Sequence, residues 1–396
     1  IRFSGNRYQN PDTGETWGDD ILIDYGAIWS FVSNPRKYEY PPVRINGTLD
    51  KDLQISFNVG WNLQEAMATR IKTNPVRLIG GENYTLTAAD LTHFITTRNA
   101  WEGYIFAYDE ETSGIVMRLD HYHCVCGGNG NVNGHTHNTG TTWMATDSLP
   151  TSAGNYYLTQ SVSGSWTVPA GEVNLCLNGQ TITGNIKIGS GAKLTRTDCS
   201  SDNSGKIQGE VLVNGGKFEL YSGTITGGVQ VGIKGGSYQT GSSFTMYGGA
   251  ITGNEESSGS GGGVFLVGTT NQTDPPSFTM HGGTISNNTA AAPDGGGGGV
   301  YVGEKCSFTM DGGTITGNTA TNGNGGGIYI HMLANVTISG GEITDNTANG
   351  SGIRYGGGIY SESGVTVRNM TITGNSANAG GGIYGNGTIN LTDATV

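Results

Sequence analysis

The sequence predicts an all-β fold, a parallel β-helix with three strands in each coil. Five similar segments follow one another in the C-terminal half, and their central residues are spaced by 34, 30, 28 and 29 positions. Repeats of this length are typical of stacked structural units. Each segment contains three short runs in which apolar and polar residues alternate, bounded by glycines, and this pattern predicts strands. No helix-length stretch separates the runs, so each segment is expected to form one triangular coil.

The apolar positions of the five segments are expected to form rows inside the solenoid. In the first segment these positions are Phe244, Met246, Ile251 and Val264, and the later segments carry apolar residues at the equivalent places. The central row consists of Ile251, Ile285, Ile315, Ile343 and Ile372. Because one coil cannot bury its apolar side alone, stability is expected to come from stacking.

An asparagine follows each central isoleucine by three positions, where the chain must turn between strands. Asparagine tolerates the left-handed backbone conformation and hydrogen-bonds to nearby backbone groups. We therefore predict an internal ladder formed by Asn254, Asn288, Asn318, Asn346 and Asn375. A structural ladder is the favoured interpretation, and a row of ligand-binding amides is the alternative.

An aromatic residue follows the inward Val or Ile at the end of each glycine-rich stretch. Strand alternation turns such a ring outward. The resulting column consists of Phe265, Tyr301, Tyr329, Tyr360 and Tyr384. One interpretation is that the stacked rings stabilise their own sheet. The other is that they form a platform for sugars or a contact surface for another protein.

A cluster of histidines and cysteines between residues 121 and 137 predicts a structural zinc site. Alternate positions of an extended run share a face, which pairs Cys124 with Cys126 and His135 with His137. Two thiolates and two imidazoles form a tetrahedral ligand set that favours zinc. His121 and His123 are alternative ligands. The competing interpretation is a reactive or disulfide-forming pair in a linker, although a bridge between Cys124 and Cys126 would close a strained ring.

Composition excludes two classes of partner. The net charge is −12 with only 20 Lys and Arg, whereas nucleic-acid binding depends on clustered cations. We therefore expect no nucleic-acid partner. The sequence contains no apolar run of membrane-spanning length, so we also expect no membrane insertion of this chain. The 70 glycines suit the tight corners of a solenoid.

The character of the sequence changes along the chain and predicts four parts. Residues 1–60 are expected to form a small β-rich module or cover, and residues 61–120 a capping helix and the first coils. Residues 121–142 form the zinc-binding insertion, and residues 143–396 the parallel β-helix repeats. The helix is predicted up to about Ile71 because Leu63, Ala66 and Met67 recur at helical spacing, with Asn62 and Glu65 resembling a capping pair.

Two stretches resemble known families. Leu63-Gln64-Glu65-Ala66 resembles the helix that caps the first coil of right-handed parallel β-helix proteins of the pectate-lyase type, which implies a right-handed solenoid. The run from the histidine and cysteine cluster to Leu175-Cys176-Leu177-Asn178-Gly179 resembles segments of large repeat-rich surface proteins of Gram-positive gut bacteria. That resemblance covers roughly residues 60–396 and implies an extracellular or cell-surface, adhesin-like protein.

Cys176 and Cys199 are separated by about one coil, so they are expected on adjacent coils. A disulfide in an oxidising setting and a pair of buried thiols are both open. The chain stops soon after Thr388-Ile389-Asn390 without a polar cap. Because an uncapped solenoid end exposes a sheet edge, we expect a longer chain or a neighbouring subunit to cover it.

The sequence favours a non-enzymatic function. Glycoside hydrolysis needs a converging pair of carboxylates. Five Asp and Glu residues of the repeats occupy positions that are not equivalent in adjacent coils. These acids are Asp274, Asp294, Asp311, Glu342 and Asp345. We therefore expect a structural or adhesive β-solenoid that binds a glycan or protein receptor, or assembles with copies of itself into a filament. The alternative is a polysaccharide-processing or phage tailspike protein on the same scaffold, and a cleft lined by paired carboxylates would favour it.

Overall fold

The computed structural model describes residues 143–396 apart from 201, 234–238, 257–258, 269–272 and 292–294, and before residue 143 it describes mainly the backbone of strands. Every regular element in the described residues is a β-strand, which confirms the predicted all-β class. The capping helix predicted up to Ile71 lies outside the described residues. The chain divides into two compact units, Ile1–Tyr122 and His123–Val396.

The strands described in the first unit form three small sheets. Tyr8–Gln9 pairs antiparallel with Thr16–Trp17. A parallel sheet contains Ile21–Ile23, Ile55–Asn58 and Phe94–Thr97. A four-stranded sheet has the order Val43–Ile45, Val76–Gly81, Gly114–Leu119 and Tyr104–Asp109, and its last two pairings are antiparallel.

The first coils of the solenoid are expected within residues 61–120, and the described strands of that range fall in these small sheets. Phe94–Thr97 pairs parallel, whereas Tyr104–Asp109 pairs antiparallel with Gly114–Leu119, so the expected boundary at residue 61 stays a prediction. Antiparallel neighbours do not arise from successive turns of one parallel solenoid, in which every strand of a face runs the same way. A further two-stranded sheet, Tyr122–His123 with Thr141–Thr142, lies within the predicted insertion. The first solenoid strand is Met144–Thr146.

Three sheets form the solenoid. Most coils contribute two successive strands to the largest, the long sheet, which has 19 strands. Its strands are Met144–Thr146, Gly154–Leu158, Val162–Ser163, Gly171–Cys176, Thr181–Thr183, Ala192–Thr197, Lys206–Gln208, Lys217–Leu220, Thr224–Ile225, Ser243–Met246, Ala250–Thr252, Ser277–Met280, Thr284–Ser286, Ser307–Met310, Thr314–Thr316, Asn335–Ile338, Gly341–Thr344, Val365–Thr373 and Ile389–Thr395. The second, the tyrosine sheet, contains Trp166–Thr167, Ile186–Gly189, Val211–Asn214, Val229–Val231, Val264–Leu266, Val300–Val302, Ile328–Ile330, Ile359–Ser361 and Ile383–Gly385.

A third, short sheet was not predicted. It contains Glu255–Glu256, Thr289–Ala290, Thr319–Thr321 and Thr347–Asn349, each directly after a ladder asparagine. Its inward alanines Ala290, Ala320 and Ala348 are buried. Four coils therefore have a small fourth side, and the two- or three-residue strands were too short to show an alternating pattern in the sequence.

The interior rows follow the predicted register. The central isoleucines pair directly with one another from Ile251 to Ile372, and none is more than 1% exposed. The phenylalanine row also stacks, with ring centroids 4.7 Å apart between Phe244 and Phe278 and 5.1 Å apart between Phe278 and Phe308. Each buried side chain of this size contributes about 1.5–3 kcal/mol through removal of apolar surface from water, so stacking supplies the stability of the solenoid.

Glycines allow the bend between the two long-sheet strands of a coil. Gly283 and Gly313 have φ angles of 85° and 87°, in the left-handed region that side chains rarely adopt. A Cβ atom on either glycine would lie 2.6 Å from the Cε atom of a buried methionine, Met246 or Met280. The bend therefore excludes side chains for both backbone and packing reasons.

Candidate functional site: an aromatic ladder and an acidic cleft

The five asparagines form the hydrogen-bonded ladder that the repeat spacing indicates. Oδ1 of Asn318 accepts hydrogen bonds from the backbone N and the Nδ2 of Asn288, at 3.0 and 2.9 Å. The Nδ2 of Asn318 also donates to the carbonyl oxygen of Ile285, at 2.9 Å. The same pattern links Asn254 to Asn288, Asn318 to Asn346 and Asn346 to Asn375. Within the ladder these amides hydrogen-bond to one another and to the backbone, which stabilises the fold, and the Oδ1 of Asn254 at its end is the exception.

The aromatic column lies on the outer side of the tyrosine sheet. Tyr301 and Tyr329 stack with centroids 4.8 Å apart and an interplanar angle of 13°, and Tyr360 and Tyr384 stack at 5.8 Å and 10°. Phe265 meets Tyr301 edge to face at 5.3 Å, and Tyr329 meets Tyr360 at 5.1 Å. We call this column the aromatic ladder. Tyr355, which the sequence did not single out, joins it with its ring 4.4 Å from Tyr384.

The rings of the aromatic ladder differ in exposure. Tyr329 is 6% exposed, whereas the other four are half-buried. Exposed apolar side chains occur nearby in sequence: Met332 and Leu333 follow the strand of Tyr329, and Ile353 precedes Tyr355. The geometry thus fits both interpretations of the column, because the rings contact one another and still present surface to solvent.

The carboxylate of Glu362 helps to raise the pKa of two tyrosines in the aromatic ladder. The Tyr329 hydroxyl donates to Oε1 of Glu362, whose Oε2 accepts a hydrogen bond from the backbone N of Met332 at 2.9 Å. Burial and then the hydrogen bond to Glu362 raise the pKa of Tyr329. Burial and then the charge of Glu362 raise the pKa of Tyr301 to about 12. Both hydroxyls therefore stay protonated near neutral pH and remain hydrogen-bond donors.

The predicted zinc ligands lie mostly outside the described residues. Cys126, His121, His135 and His137 are not among those described, and His123 is described only as part of a strand. Cys124 is 8% exposed and packs with Tyr221, whose ring stacks on Tyr247 at 4.5 Å. Within the described part of the chain, no group of three or more His, Cys, Asp and Glu side chains is placed to hold a metal ion. The zinc site stays a prediction.

Cys176 and Cys199 come together beside a buried arginine that sequence reasoning missed. Their Sγ atoms lie 3.1 Å apart and are not bridged. Arg196 is 0% exposed, and its guanidinium donates to the carbonyl oxygens of Ser222 and Gly205. Burial lowers the pKa of Arg196 to about 10. The sequence did contain an indication of this burial. Arg196 lies two positions after the inward Leu194 in the same strand, and alternate positions of a strand face the same side.

An acidic cleft opens where the asparagine ladder ends. It encloses about 160 Å³ and is lined by side chains that include Glu210, Glu255, Glu256, Gln230 and Phe265. Burial and then the charge of Glu256 raise the pKa of Glu210, while Lys187 opposes this shift. No sequence pattern indicated this grouping, since Glu210 precedes the five clear repeats and Glu256 lies within the longest repeat interval.

Comparison with known proteins supports the fold. Residues 248–396 match the family described as a right handed beta helix region. Together with the stacked parallel sheets, this match establishes the fold of the solenoid as a right-handed parallel β-helix. No curated protein and no solved structure gave a significant match. In the described residues, no helix has the length and hydropathy needed to cross a bilayer.

Proposed function

We propose that this protein is a secreted or cell-surface β-solenoid whose role is structural or adhesive, and that the aromatic ladder is its binding face for a glycan or a protein receptor. The resemblance to repeat-rich surface proteins of Gram-positive gut bacteria suggests this setting. The proposal rests chiefly on one observation: five rings contact one another in a continuous column, and four of them are only half-buried. Stacked rings with hydroxyl donors are suited to sugar faces and to protein contacts.

The binding experiment compares the protein with a variant that removes two half-buried rings, Tyr301→Ala with Tyr360→Ala. Binding to a glycan array and to immobilised surface proteins is measured for both. The matched control is Tyr247→Ala, which removes a ring from a different stacked pair. We expect the double variant to bind at least about tenfold more weakly, which corresponds to about 1.4 kcal/mol. Equal binding by all three proteins, each shown to be folded, would contradict the proposed face.

Assembly of copies of this chain into a filament is part of the same proposal. A filament would bring the end of one solenoid against another, so that sheet edges are covered. Light scattering of the purified protein over a concentration series measures this assembly. A monomer at every concentration would leave receptor binding as the only form of the proposal.

The acidic cleft favours one alternative, a polysaccharide-processing enzyme. A carboxyl with a raised pKa suits a general acid, and a second carboxylate nearby suits the base or nucleophile. Glu210 fits the first role and Glu256 the second. Release of reducing ends from acidic and neutral glycans tests this alternative, with Glu210→Gln as the inactive variant. Turnover that Glu210→Gln abolishes would replace the adhesive role with catalysis.

The predicted zinc ion would have a structural role in this protein. Cys124, Cys126, His135 and His137 would occupy all four positions of a tetrahedral ion, which leaves none for a substrate. Metal analysis of the purified protein is expected to give one zinc per chain, which Cys126→Ser loses and Cys306→Ser keeps. A parent protein without stoichiometric metal would rule out the site.

A further inference from the structure

The asparagine ladder ends at Asn254. In the preceding coil Ile225 pairs with Ile251 and Val229 pairs with Val264, so this coil turns within three residues and has no asparagine there. In the rest of the ladder, each Oδ1 accepts hydrogen bonds from the asparagine of the preceding coil. The preceding coil offers Asn254 no such side chain. The Oδ1 of Asn254 consequently has no hydrogen-bond partner, although the residue is only 6% exposed.

Asn254, whose amide oxygen has no hydrogen-bond partner, lines the acidic cleft. Asn254 and Gly228 form part of the wall of this cleft, together with Glu210, Glu256 and Phe265. A buried acceptor without a partner costs about 1–3 kcal/mol, and a ligand that donates a hydrogen bond there would remove this cost. The space left by the missing asparagine side chain is therefore placed to receive a donor group.

The charge of the cleft specifies the kind of donor. Three of its lining side chains are carboxylates, Glu210, Glu255 and Glu256, and no Lys or Arg is among its lining residues. Lys187 acts on Glu210 electrostatically but does not line the cleft. A cationic donor fits such a wall, and an anion does not.

We propose that this cleft binds an organic ammonium group, as carried by an amino sugar or by a lysine side chain. The N–H groups of the ammonium donate to Oδ1 of Asn254 and to the carboxylates of Glu210 and Glu256. The carbon skeleton lies against Phe265, whose ring adds a cation–π attraction. Charge-assisted hydrogen bonds of this kind are about twice as strong as neutral ones.

Calorimetric titration of the full chain tests the proposal with four probes: glucosamine, the amide of α-N-acetyllysine, N-acetylglucosamine and calcium chloride. We expect at least one amine to bind, and its identity distinguishes the amino sugar from the lysine side chain. N-acetylglucosamine has no charge, so it is expected not to bind. Binding of N-acetylglucosamine as tightly as glucosamine, binding of calcium alone, or no binding of either amine would overturn the proposal.

Two variants and a control locate the site. Glu256→Gln removes one exposed carboxylate and is expected to weaken amine binding about tenfold, equivalent to about 1.4 kcal/mol. Asn254→Ala removes the amide oxygen that has no partner, and it is expected to weaken amine binding by about tenfold. The control is Glu342→Gln, at an exposed position of the long sheet, which is expected to bind like the parent. Unchanged binding by Glu256→Gln would refute the site.

Discussion

The Sγ atoms of Cys176 and Cys199 lie 3.1 Å apart on adjacent coils. Burial, and then the hydrogen bond to Cys199, raises the pKa of Cys176, so the thiolate needed for oxidation is scarce near neutral pH. The pair is thus close enough to bridge with little movement but slow to react.

The first prediction concerns oxidation of this pair. Incubation with oxidised glutathione at alkaline pH is expected to bridge Cys176 and Cys199, because higher pH supplies thiolate. Closing a loop of this size stabilises the folded state by about 3 kcal/mol. Mass spectrometry after alkylation in denaturant counts the remaining thiols, and thermal unfolding measures the gain. Cys306, which is 0% exposed and whose pKa burial raises to about 12, should remain a thiol. Alkylation of both Cys176 and Cys199 after oxidation would contradict this prediction.

The second prediction concerns the asparagine ladder. Asn318→Ala removes the acceptor for two donors of Asn288 and the donor to the carbonyl oxygen of Ile285. We expect a loss of about 2–4 kcal/mol in the free energy of unfolding, because buried polar groups lose their partners. Urea unfolding followed by circular dichroism measures it. Asn335→Ala at an exposed position is the control and should change the free energy by less than about 0.5 kcal/mol. Similar losses of unfolding free energy in both variants would show that the ladder hydrogen bonds make no particular contribution to stability.

The third prediction concerns the buried guanidinium. Arg196→Met keeps an unbranched apolar stem but leaves the carbonyl oxygens of Ser222 and Gly205 without their charged donor. Hydrogen bonds to charged groups contribute about 1.5–3 kcal/mol, so the expected destabilisation is about 2–4 kcal/mol. Thermal unfolding of Arg196→Met is compared with that of Arg368→Met, whose arginine is exposed. A gain in stability would instead show that desolvation of the charge outweighs its hydrogen bonds.

The fourth prediction concerns pH. The pKa of Tyr301 in the folded protein is raised to about 12, above its unfolded value of about 10. Because the unfolded state releases this proton at a lower pH than the folded state, the contribution of Tyr301 to the free energy of unfolding is fully present below about pH 10. This contribution is lost as the pH rises towards 12. Phenolate absorbance during alkaline titration measures the ionisation directly.

Glu362→Gln provides the control for this titration. The variant retains an acceptor for the Tyr329 hydroxyl but removes the charge that opposes ionisation of Tyr301 and Tyr329. We expect these tyrosines to titrate at lower pH in the variant. An identical titration curve would show that burial alone sets both pKa values.

The interior of the solenoid was readable from the sequence because its pattern is local. Alternation along one strand decides which side chains point inward, and the spacing of Ile251, Ile285 and Ile315 decides which of them stack. The asparagine ladder was readable for the same reason. The short sheet was not, because strands such as Thr289–Ala290 carry too few residues to show alternation.

The acidic cleft was beyond sequence reasoning for a different reason. Glu210 and Glu256 belong to coils whose loops differ in length, so no repeat position connects them. Their proximity depends on where each loop leaves the solenoid. The orphaned Oδ1 of Asn254 likewise depends on the preceding coil, which runs from Ile225 to Val229 without an asparagine that could donate to it.

The sequence alone was sufficient to establish the period of the coils and the rows of isoleucine, phenylalanine and asparagine, since these depend on the two-residue alternation of a strand. Folding in three dimensions determined the distance between Cys176 and Cys199, the carbonyl oxygens around Arg196 and the wall of the acidic cleft. These features join residues from different coils, and their geometry depends on loop lengths and on register between coils.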